Sequence, residues 1–209
     1  MALDSYANLK TAIADWMHRS DLTSYLDDFI DLTEAMFRNP PRRPDDPEIG
    51  GLRVEITAAT GNLTSGQEYL AKPADYLEPI SFDLTGTNGG RVEYTTEMHL
   101  LYREGNGRPR FWGVTDTIDF DVVPDSTYAY ELKYYSQPDA IDGVTTTNTV
   151  LDNYPQVYLS GCLHHAHQFV QDDQNAAMWL ARYKGYAWSA NESFKRGLRS
   201  QSSMAAKVA

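Results

Sequence analysis

Asp119 on one predicted strand and Glu131-x-Lys133 on the next have the residue types and spacing that metal-dependent phosphodiester hydrolysis requires. Asp119 and Glu131 could hold a divalent cation, and Lys133 could orient the attacking water. Side chains two residues apart on a strand share a face, so Glu131 and Lys133 could act on the same substrate. Asp116, together with Gln156 on the following predicted helix, completes the pattern of a restriction-type nuclease core.

The same residues also fit the solvated face of an ordinary β-sheet. Charged side chains alternate there with apolar ones such as Ile118, Phe120 and Leu132. Because Glu-x-Lys occurs by chance in many strands of a charged protein, the pattern alone does not identify a catalytic site. We therefore favour the solvated face and keep the nuclease as the alternative.

His164, His165 and His167 form a second group of residues whose type binds metals. His164 and His167 are three residues apart and could share one face of a helix. The nearest carboxylates, Asp172 and Asp173, come after the predicted end of that helix, so the ligand set is incomplete. We interpret these histidines as a polar helix face and predict neither a resident metal nor a cofactor.

Three further patterns lack a context that would fix their chemistry. Ser160-Gly161-Cys162 lies within a predicted helix, whereas a nucleophile elbow stands at a strand-to-helix turn. The glycine-rich stretch 86–90 is not followed by the lysine and helix of a phosphate-binding loop. The arginine-rich stretch from Arg38 to Arg43 could meet an acidic partner or a phosphate, or could offset the charge of the acidic helix before it.

The elements that position these residues begin with two amphipathic helices. Apolar residues recur at three- and four-residue steps over 5–19 and again over 22–38. The acidic residues of the second helix, Glu34 among them, fall mainly on the side opposite its apolar stripe. This helix is predicted to end before Asn39-Pro40-Pro41, because proline cannot donate the next helical hydrogen bond.

Between residues 41 and 138 the apolar period changes to two, which indicates β-strands. The alternating stretches are 53–57, 92–94, 117–122 and 128–134. Turns rich in glycine, asparagine and proline separate them. We predict an antiparallel sheet or small barrel of five or more strands.

Helical spacing returns after a threonine-rich connector, with one helix predicted over 149–170 and another over 173–196. Neither pair of helices alone covers its apolar stripe well. We therefore predict an α+β fold, in which two N-terminal and two C-terminal helices form a four-helix bundle with an inserted antiparallel β-rich region. The predicted segments are the N-terminal helices 1–40, the insertion 41–138, the C-terminal helices 139–198 and a flexible arm 199–209.

The composition restricts the possible functions. The chain has 209 residues and a net charge of −11, whereas proteins that grip nucleic acid through its phosphates usually carry positive charge. The acidity fits either simple solubility or a surface that DNA passes without adhering. The single cysteine, the lack of a secretory signal and the lack of a long apolar run predict a protein made in the cytoplasm with no membrane span.

Several segments carry a recognisable order of motifs. Residues 6–9 read Tyr-x-x-Leu, residues 29–35 read Phe-Ile-x-Leu-x-Glu-Ala, and residues 154–163 read Tyr-Pro-Gln-Val-Tyr-Leu-Ser-Gly-Cys-Leu. The further segments are 73–78, 107–111, 123–128, 132–135, Asp172-Asp173 and Trp179-x-x-x-Tyr183. With these segments in this order, the chain resembles the head–tail adaptor (connector) proteins of tailed bacteriophages. The resemblance disfavours a nuclease, because Glu131-Leu132-Lys133 falls within a strand that the adaptors use structurally.

The resemblance implies a virion structural protein without enzymatic activity. Its copies would form a ring, typically of twelve, beneath the portal protein at the head–tail junction, and would extend the DNA channel toward a downstream tail or nozzle protein. Genomic DNA would pass through the lumen without specific binding. The C-terminal arm would reach the portal, and the predicted portal-binding residues are Leu198, Arg199, Met204, Lys207 and Val208. Another ring component of the tail or nozzle is the nearest structural alternative.

Overall fold

The computed structural model describes residues 3–41, 51–87, 89–96 and 105–201. The chain divides into two compact units, which we call the helical unit (Met1–Glu55 and Gln137–Ala209) and the sheet unit (Ile56–Ser136). Each unit has its own cluster of buried apolar side chains.

The described part of the helical unit contains five α-helices and one short 3-10 helix. They are α1 (Tyr6–Met17), the 3-10 helix (Thr23–Tyr25), α2 (Leu26–Arg38), α3 (Thr149–Asn153), α4 (Pro155–Phe169) and α5 (Asp173–Gln201). Ser5 caps α1, because its side chain accepts a hydrogen bond from the backbone N–H of Asn8. Within the residues that the structure describes, no helix combines the length and apolar character needed to cross a membrane.

The single helix predicted over 149–170 is two helices, α3 and α4. The break falls at Tyr154, whose backbone leaves the helical region with φ −138° and ψ 51°. Pro155 then begins α4 as its first residue. Proline disfavours helical backbone in the residue before it, but it is well tolerated in the first turn of a helix.

Helix α4 forms the centre of the helical unit. Eight consecutive residues, Val157 to His164, are buried in it, and it packs against α1, α2, α3 and α5. At Gly161 it approaches α2 closely: a Cβ atom there would lie 2.4 Å from Cγ2 of Thr33. A helix that is buried on all sides must be surrounded by other elements, and glycine permits this close approach.

The predicted four-helix bundle with an inserted β-region is wrong. The helices are arranged around one buried helix, and the β-region is a compact unit with a seven-stranded sheet and an apolar core of its own. Helical periodicity locates an apolar stripe but does not reveal that α4 is covered on every side. The sheet buries its own apolar face and therefore needs no bundle to cover it.

The described residues of the sheet unit form nine strands. They are β1 (Ile56–Leu63), β2 (Tyr69–Leu70), β3 (Tyr76–Leu84), β4 (Gly90–Tyr94), β5 (Asn106–Gly107), β6 (Phe111–Val114), β7 (Ile118–Phe120), β8 (Val123–Pro124) and β9 (Tyr128–Ser136). Seven of them form one sheet in the order β1-β9-β3-β4-β6-β7-β2, and β5 pairs with β8. The prediction of a purely antiparallel arrangement is also wrong, because β4–β6 and β5–β8 are parallel pairs.

Strand β9 lies between β1 and β3, and its side chains alternate between two faces. Leu132 and Tyr134 are buried in the core, whereas Glu131 and Lys133 lie on the opposite face. Phe82 on β3 stands at the centre of this core. The rings around it are those of Trp112, Phe120 and Tyr130. The sheet unit is therefore stabilised mainly by aromatic and aliphatic packing.

Candidate functional site

The sheet separates the residues of the predicted nuclease core. Asp119 is on β7, whereas Glu131 and Lys133 are on β9. Three strands, β3, β4 and β6, lie between β9 and β7. Adjacent strands are about 4.8 Å apart, and ligand oxygens lie about 2.0–2.6 Å from a bound Mg²⁺ or Ca²⁺. The two carboxylates, which stand opposite the buried positions of their strands, cannot share one cation.

Both carboxylates instead have local partners. Asp119 accepts hydrogen bonds from the hydroxyls of Thr115 and Thr117, at 2.5 and 2.6 Å. Oε1 of Glu131 is 2.6 Å from Nζ of Lys133. This pairing raises the pKa of Lys133, so the ammonium stays charged and is unsuited to act as a base. An exposed ion pair on the outer face is the arrangement that the solvated-face interpretation predicts.

The remaining members of the nuclease pattern do not extend the site. Asp116 is exposed in the turn between β6 and β7. Gln156 belongs to the helical unit, where it is exposed in the first turn of α4. The described structure therefore assembles no metal-binding set from the predicted nuclease residues.

The three histidines of α4 have different surroundings. Nδ1 of His164 is 2.8 Å from the carbonyl oxygen of Ala176, and Nδ1 of His167 is 3.2 Å from Oδ2 of Asp172. Burial, reinforced by the neighbouring His164, lowers the pKa of His165 to about 4. His164 is itself buried, so the three do not form one polar face. Among the described residues, no group of three or more His, Cys, Asp or Glu side chains could hold a metal ion.

Ser160 and Cys162 are buried packing residues of α4. The Ser160 hydroxyl donates a hydrogen bond to the carbonyl oxygen of Gln156 at 2.6 Å. Burial raises the pKa of the Cys162 thiol to about 12, and the Thr33 hydroxyl lies 3.4 Å from its sulfur. Since the thiolate is the reactive form of cysteine, this side chain is inert at neutral pH.

Only part of the arginine-rich stretch lies within the described residues. Nη2 of Arg38 donates a hydrogen bond to Oε1 of Gln137 at 2.7 Å, within the helical unit. Arg42 and Arg43 lie outside the described residues. The choice between an acidic partner, a phosphate and simple charge compensation therefore stays open.

The predicted portal-binding residues are described only at their N-terminal end. Leu198 is an exposed apolar residue on α5, and the backbone of Arg199 continues the same helix, which ends at Gln201. Met204, Lys207 and Val208 lie outside the described residues. Portal binding by these five residues stays a prediction.

The helical unit contains a buried polar network that the sequence did not predict. Oε1 of Glu34 on α2 accepts hydrogen bonds from the backbone N–H of Ile141 and from the hydroxyl of Tyr158, both at 2.9 Å. The side-chain amide of Asn148 donates to the Tyr158 oxygen at 2.7 Å, and its carbonyl oxygen caps α3. The network fixes the connector before α3 against α2 and α4.

The expectation that Glu34 lies mainly on the solvent side of α2 is wrong. Its side chain is buried, and burial raises the pKa of its carboxyl group. The helical spacing contains the signal, because Glu34 lies four residues after Ile30 and three before Phe37, both of which are buried. A buried carboxylate with two hydrogen-bond donors positions a chain segment and is not a catalytic site by itself.

Several large apolar side chains are exposed on each unit. In the helical unit the exposed large apolar residues are Trp16, Tyr25, Leu32, Val144, Phe169, Met178, Tyr186, Trp188 and Leu198. In the sheet unit, an open cleft is lined by Ile80, Ser81, Arg91, Val92, Glu93, Tyr94 and Trp112. Contiguous exposed apolar patches often mark interaction surfaces.

Comparison with known proteins assigns the chain to a family. The profile of the SU10 adaptor protein family matches residues 4–206, which is nearly the whole chain. A search of curated proteins found no match. The family match confirms the resemblance to phage head–tail adaptors that the ordered motifs indicate. The chain therefore belongs to the SU10 adaptor protein family.

Proposed function

We propose that copies of this chain form a ring beneath the portal protein, extend the DNA channel toward the tail and join head to tail. The observation that carries the proposal is the family match over residues 4–206, which identifies a phage adaptor protein. A phage adaptor is a virion component that interacts with other virion proteins. In our proposal these are the portal protein on one side and a tail or nozzle protein on the other, at the head–tail junction, after synthesis in the host cytoplasm.

The charge of the chain supports a passive DNA channel. Each copy carries a net charge of −11, and a ring of about twelve copies multiplies that charge. An acidic lumen repels the phosphates of the genome, so DNA can slide through without adhering. The same repulsion opposes assembly of the ring, and apolar contacts between copies must therefore outweigh it.

We further propose that the protein acts structurally and not as an enzyme. The separation of Asp119 from Glu131 by three strands argues against a restriction-type nuclease. The local pairing of Lys133 with Glu131 argues in the same direction. A ring component of the tail or nozzle remains the structural alternative, and it differs from the adaptor in the partner that it binds.

We assign attachment to the portal to the C-terminal segment that begins at Leu198. Leu198 offers an exposed apolar side chain on the last turns of α5, and Met204 and Val208 add apolar residues further along the sequence. Arg199 and Lys207 add positive charge to a chain that is otherwise acidic. Ordering such a segment on a partner costs about 1–2 kcal/mol per residue, so the contact surface must be substantial.

Electron microscopy of the purified protein mixed with portal rings of the same phage tests the proposal. We expect a second ring stacked on the portal for the full chain. A variant lacking residues 202–209 should stay folded, as judged by circular dichroism, but should attach to the portal more weakly, because it keeps only Leu198 and Arg199 of the five predicted contacts.

Three outcomes would contradict parts of this proposal. A full chain that ignores the portal but binds a tail protein would favour the tail or nozzle alternative. Unchanged attachment of the truncated variant would exclude residues 202–209 as the portal contact. Magnesium-dependent DNA cleavage by the full chain that disappears in Lys133→Ala would establish the nuclease instead.

A further inference from the structure

One surface of the helical unit combines apolar and acidic side chains. It is formed by the 3-10 helix, α2 and the end of α4, and we call it the acidic face. Its residues are Tyr25, Asp28, Leu32 and Phe169. The rings of Tyr25 and Phe169 are 4.6 Å apart, and Leu32 and Phe169 are each 49% exposed. Within the described part of the chain, Asp28 forms no salt bridge.

A second surface, on α5, combines apolar and basic side chains, and we call it the basic face. Its residues are Met178, Arg182, Trp188 and Arg196, which a helix of 3.6 residues per turn places within about one third of its circumference. Trp188 is 59% exposed and Met178 is 39% exposed. Neither Arg182 nor Arg196 forms a salt bridge within the described residues, and the Arg182 guanidinium lies over the Trp179 ring, 4.4 Å from its centroid. Glu192, on the same side of α5, is already paired with Lys195.

The apolar centres of the two faces, Leu32 and Trp188, point away from α1. On α2, Asp27 binds Lys10 of α1, and Leu32 lies five residues later, about 140° further around the helix. On α5, the Trp179 ring packs edge-on against Trp16 of α1. Trp188 lies nine residues later, which is two and a half turns and therefore the opposite side of the helix. Leu32 and Trp188 therefore lie on the sides of α2 and α5 that face away from α1, and α2 and α5 each pack against α4.

From these observations we infer that the acidic face of one copy binds the basic face of the next copy. The inference rests on the proposed function, since it names the contact that joins neighbouring copies in the ring. Two different patches on each copy produce a heterologous, head-to-tail contact, and such contacts close into rings when the rotation between copies permits. The occupant of each face is therefore another copy of this chain.

The chemistry of the two faces favours this pairing over a two-fold dimer. Face against like face would bring Asp28 toward its own counterpart, or Arg182 and Arg196 toward theirs, and like charges in an interface are strongly unfavourable. The head-to-tail arrangement instead sets carboxylates against guanidinium groups. It also buries Leu32, Phe169 and Trp188 at an apolar centre, which is the usual anatomy of a protein interface.

Site-specific cross-linking of the full-length chain tests the contact between copies. The chain has one cysteine, Cys162, and it is buried, so introduced surface cysteines are the reactive thiols. Ala35→Cys lies one turn from Leu32 on α2, and Ala181→Cys lies two turns from Trp188 on α5; both alanines are exposed. With a short bis-maleimide we expect a ladder of covalent oligomers from the double variant and covalent dimers from a mixture of the two single variants.

Each single variant alone provides the control for the direction of the contact. A head-to-tail contact leaves each single variant uncross-linked, because only one of the two neighbouring copies then has its introduced cysteine at the contact. Efficient dimers of Ala181→Cys alone, or of Ala35→Cys alone, would show a two-fold contact and overturn the inference. The absence of a ladder from the double variant, both free at high concentration and on portal rings, would overturn it as well.

Charge reversal sharpens the same experiment. In the double-cysteine background, Asp28→Lys should reduce the yield of the ladder about tenfold, because the introduced lysine then faces arginine. Asp15→Lys on α1 changes the net charge equally outside both faces and should leave the ladder unchanged. Adding Arg196→Glu to Asp28→Lys should restore most of the yield. An equal effect of Asp15→Lys and Asp28→Lys would contradict the assignment of the acidic face.

The outcomes separate this inference from the proposed function. A ladder from a protein that does not attach to portal rings would support the contact between copies and contradict the attachment. A second ring on the portal without cross-linking would support the adaptor function and contradict the assigned faces.

Discussion

The helical unit and the sheet unit are stabilised in different ways. In the helical unit one buried helix, α4, is surrounded by the others, and a buried network of Glu34, Tyr158 and Asn148 holds the connector before α3. In the sheet unit the core is a group of rings around Phe82, and Asp121 is buried and accepts hydrogen bonds from the backbone N–H groups of Arg110 and Phe111.

The difference has a consequence for function. The helical unit carries two outward faces of opposite charge with exposed apolar side chains, which suits contacts between copies. In the sheet unit, Lys133 pairs with Glu131 and Arg91 pairs with Asp83. Exposed pairs of this kind add little stability, so the sheet unit depends on its aromatic core.

The largest effect that we expect is on that core. Phe82→Ala removes the ring that contacts Trp112, Phe120 and Tyr130, and its loss should lower the free energy of unfolding of the sheet unit by about 3–5 kcal/mol. Hydrogen exchange measured by mass spectrometry on the peptides of β3 and β9 reports this loss. Peptides of α4 report the helical unit separately in the same experiment.

The exposed Ile80, two residues away on the same strand, provides the control. Ile80→Ala should change the free energy of unfolding by about 0.5 kcal/mol or less, because its side chain is 42% exposed. Equal effects of the two substitutions would mean that the rings around Phe82 do not dominate the stability of the sheet unit.

A smaller effect is expected in the polar network of the helical unit. Glu34→Ala leaves the Tyr158 hydroxyl and the Ile141 N–H without their acceptor, which should cost about 2–4 kcal/mol. Glu34→Gln keeps an acceptor of the same size and should retain most of the stability. Chemical denaturation followed by circular dichroism measures both variants. A Glu34→Ala variant as stable as the wild type would show that the network does not stabilise the helical unit.

The pH dependence of the stability of the wild type and of Glu34→Gln gives a sharper test. Burial raises the pKa of Glu34 in the folded state above its value in the unfolded chain. Ionisation of this carboxyl group therefore lowers the free energy of unfolding. This cost is absent below the unfolded pKa and grows as the pH rises through the folded pKa. The stability of Glu34→Gln relative to wild type should therefore increase from acidic to neutral pH. A difference that stays constant over this range would contradict a raised pKa.

The smallest effects are expected when alanine replaces either of two helical glycines, Gly161 and Gly185. Gly161→Ala in α4 places a Cβ atom 2.4 Å from Cγ2 of Thr33, and we expect a loss of about 1–3 kcal/mol from overpacking. Gly185→Ala in α5 meets no atom within 4 Å and should stabilise by about 0.5–1 kcal/mol through helix propensity. Thermal unfolding of the two variants should therefore shift in opposite directions. Shifts of the same sign would contradict the close approach of α2 and α4.

The sequence predicted the individual helices and strands better than the way in which they pack together. The apolar stripes of α1, α2 and α5 follow the 3.6-residue period, and their helices lie close to the predicted ranges. The break at Tyr154–Pro155 was detectable in principle, but the continuous apolar stripe on both sides favoured one helix. The four-helix bundle failed because periodicity does not specify which helix becomes central.

The prediction of the candidate site shows the same limit. Glu131 and Lys133 share a face because a strand alternates, and that relation is local. Whether Asp119 joins them depends on strand order, which no local pattern specifies, and three strands lie between them. Glu34 was misplaced for the opposite reason, because its charge suggested solvent while its helical position between Ile30 and Phe37 placed it inside.

The sequence by itself determined the local periods, the acidic character and the ordered motifs of the adaptor family, because each depends on residue type and short-range spacing. Only the tertiary structure decided that α4 is buried on every side, that the β-region forms a unit with its own core, and that Asp119 is separated from Glu131. It also decided that Leu32 and Trp188 are exposed on the sides of α2 and α5 that face away from α1. These relations join residues far apart in the chain, and the free energy that selects them comes from packing between elements rather than within them.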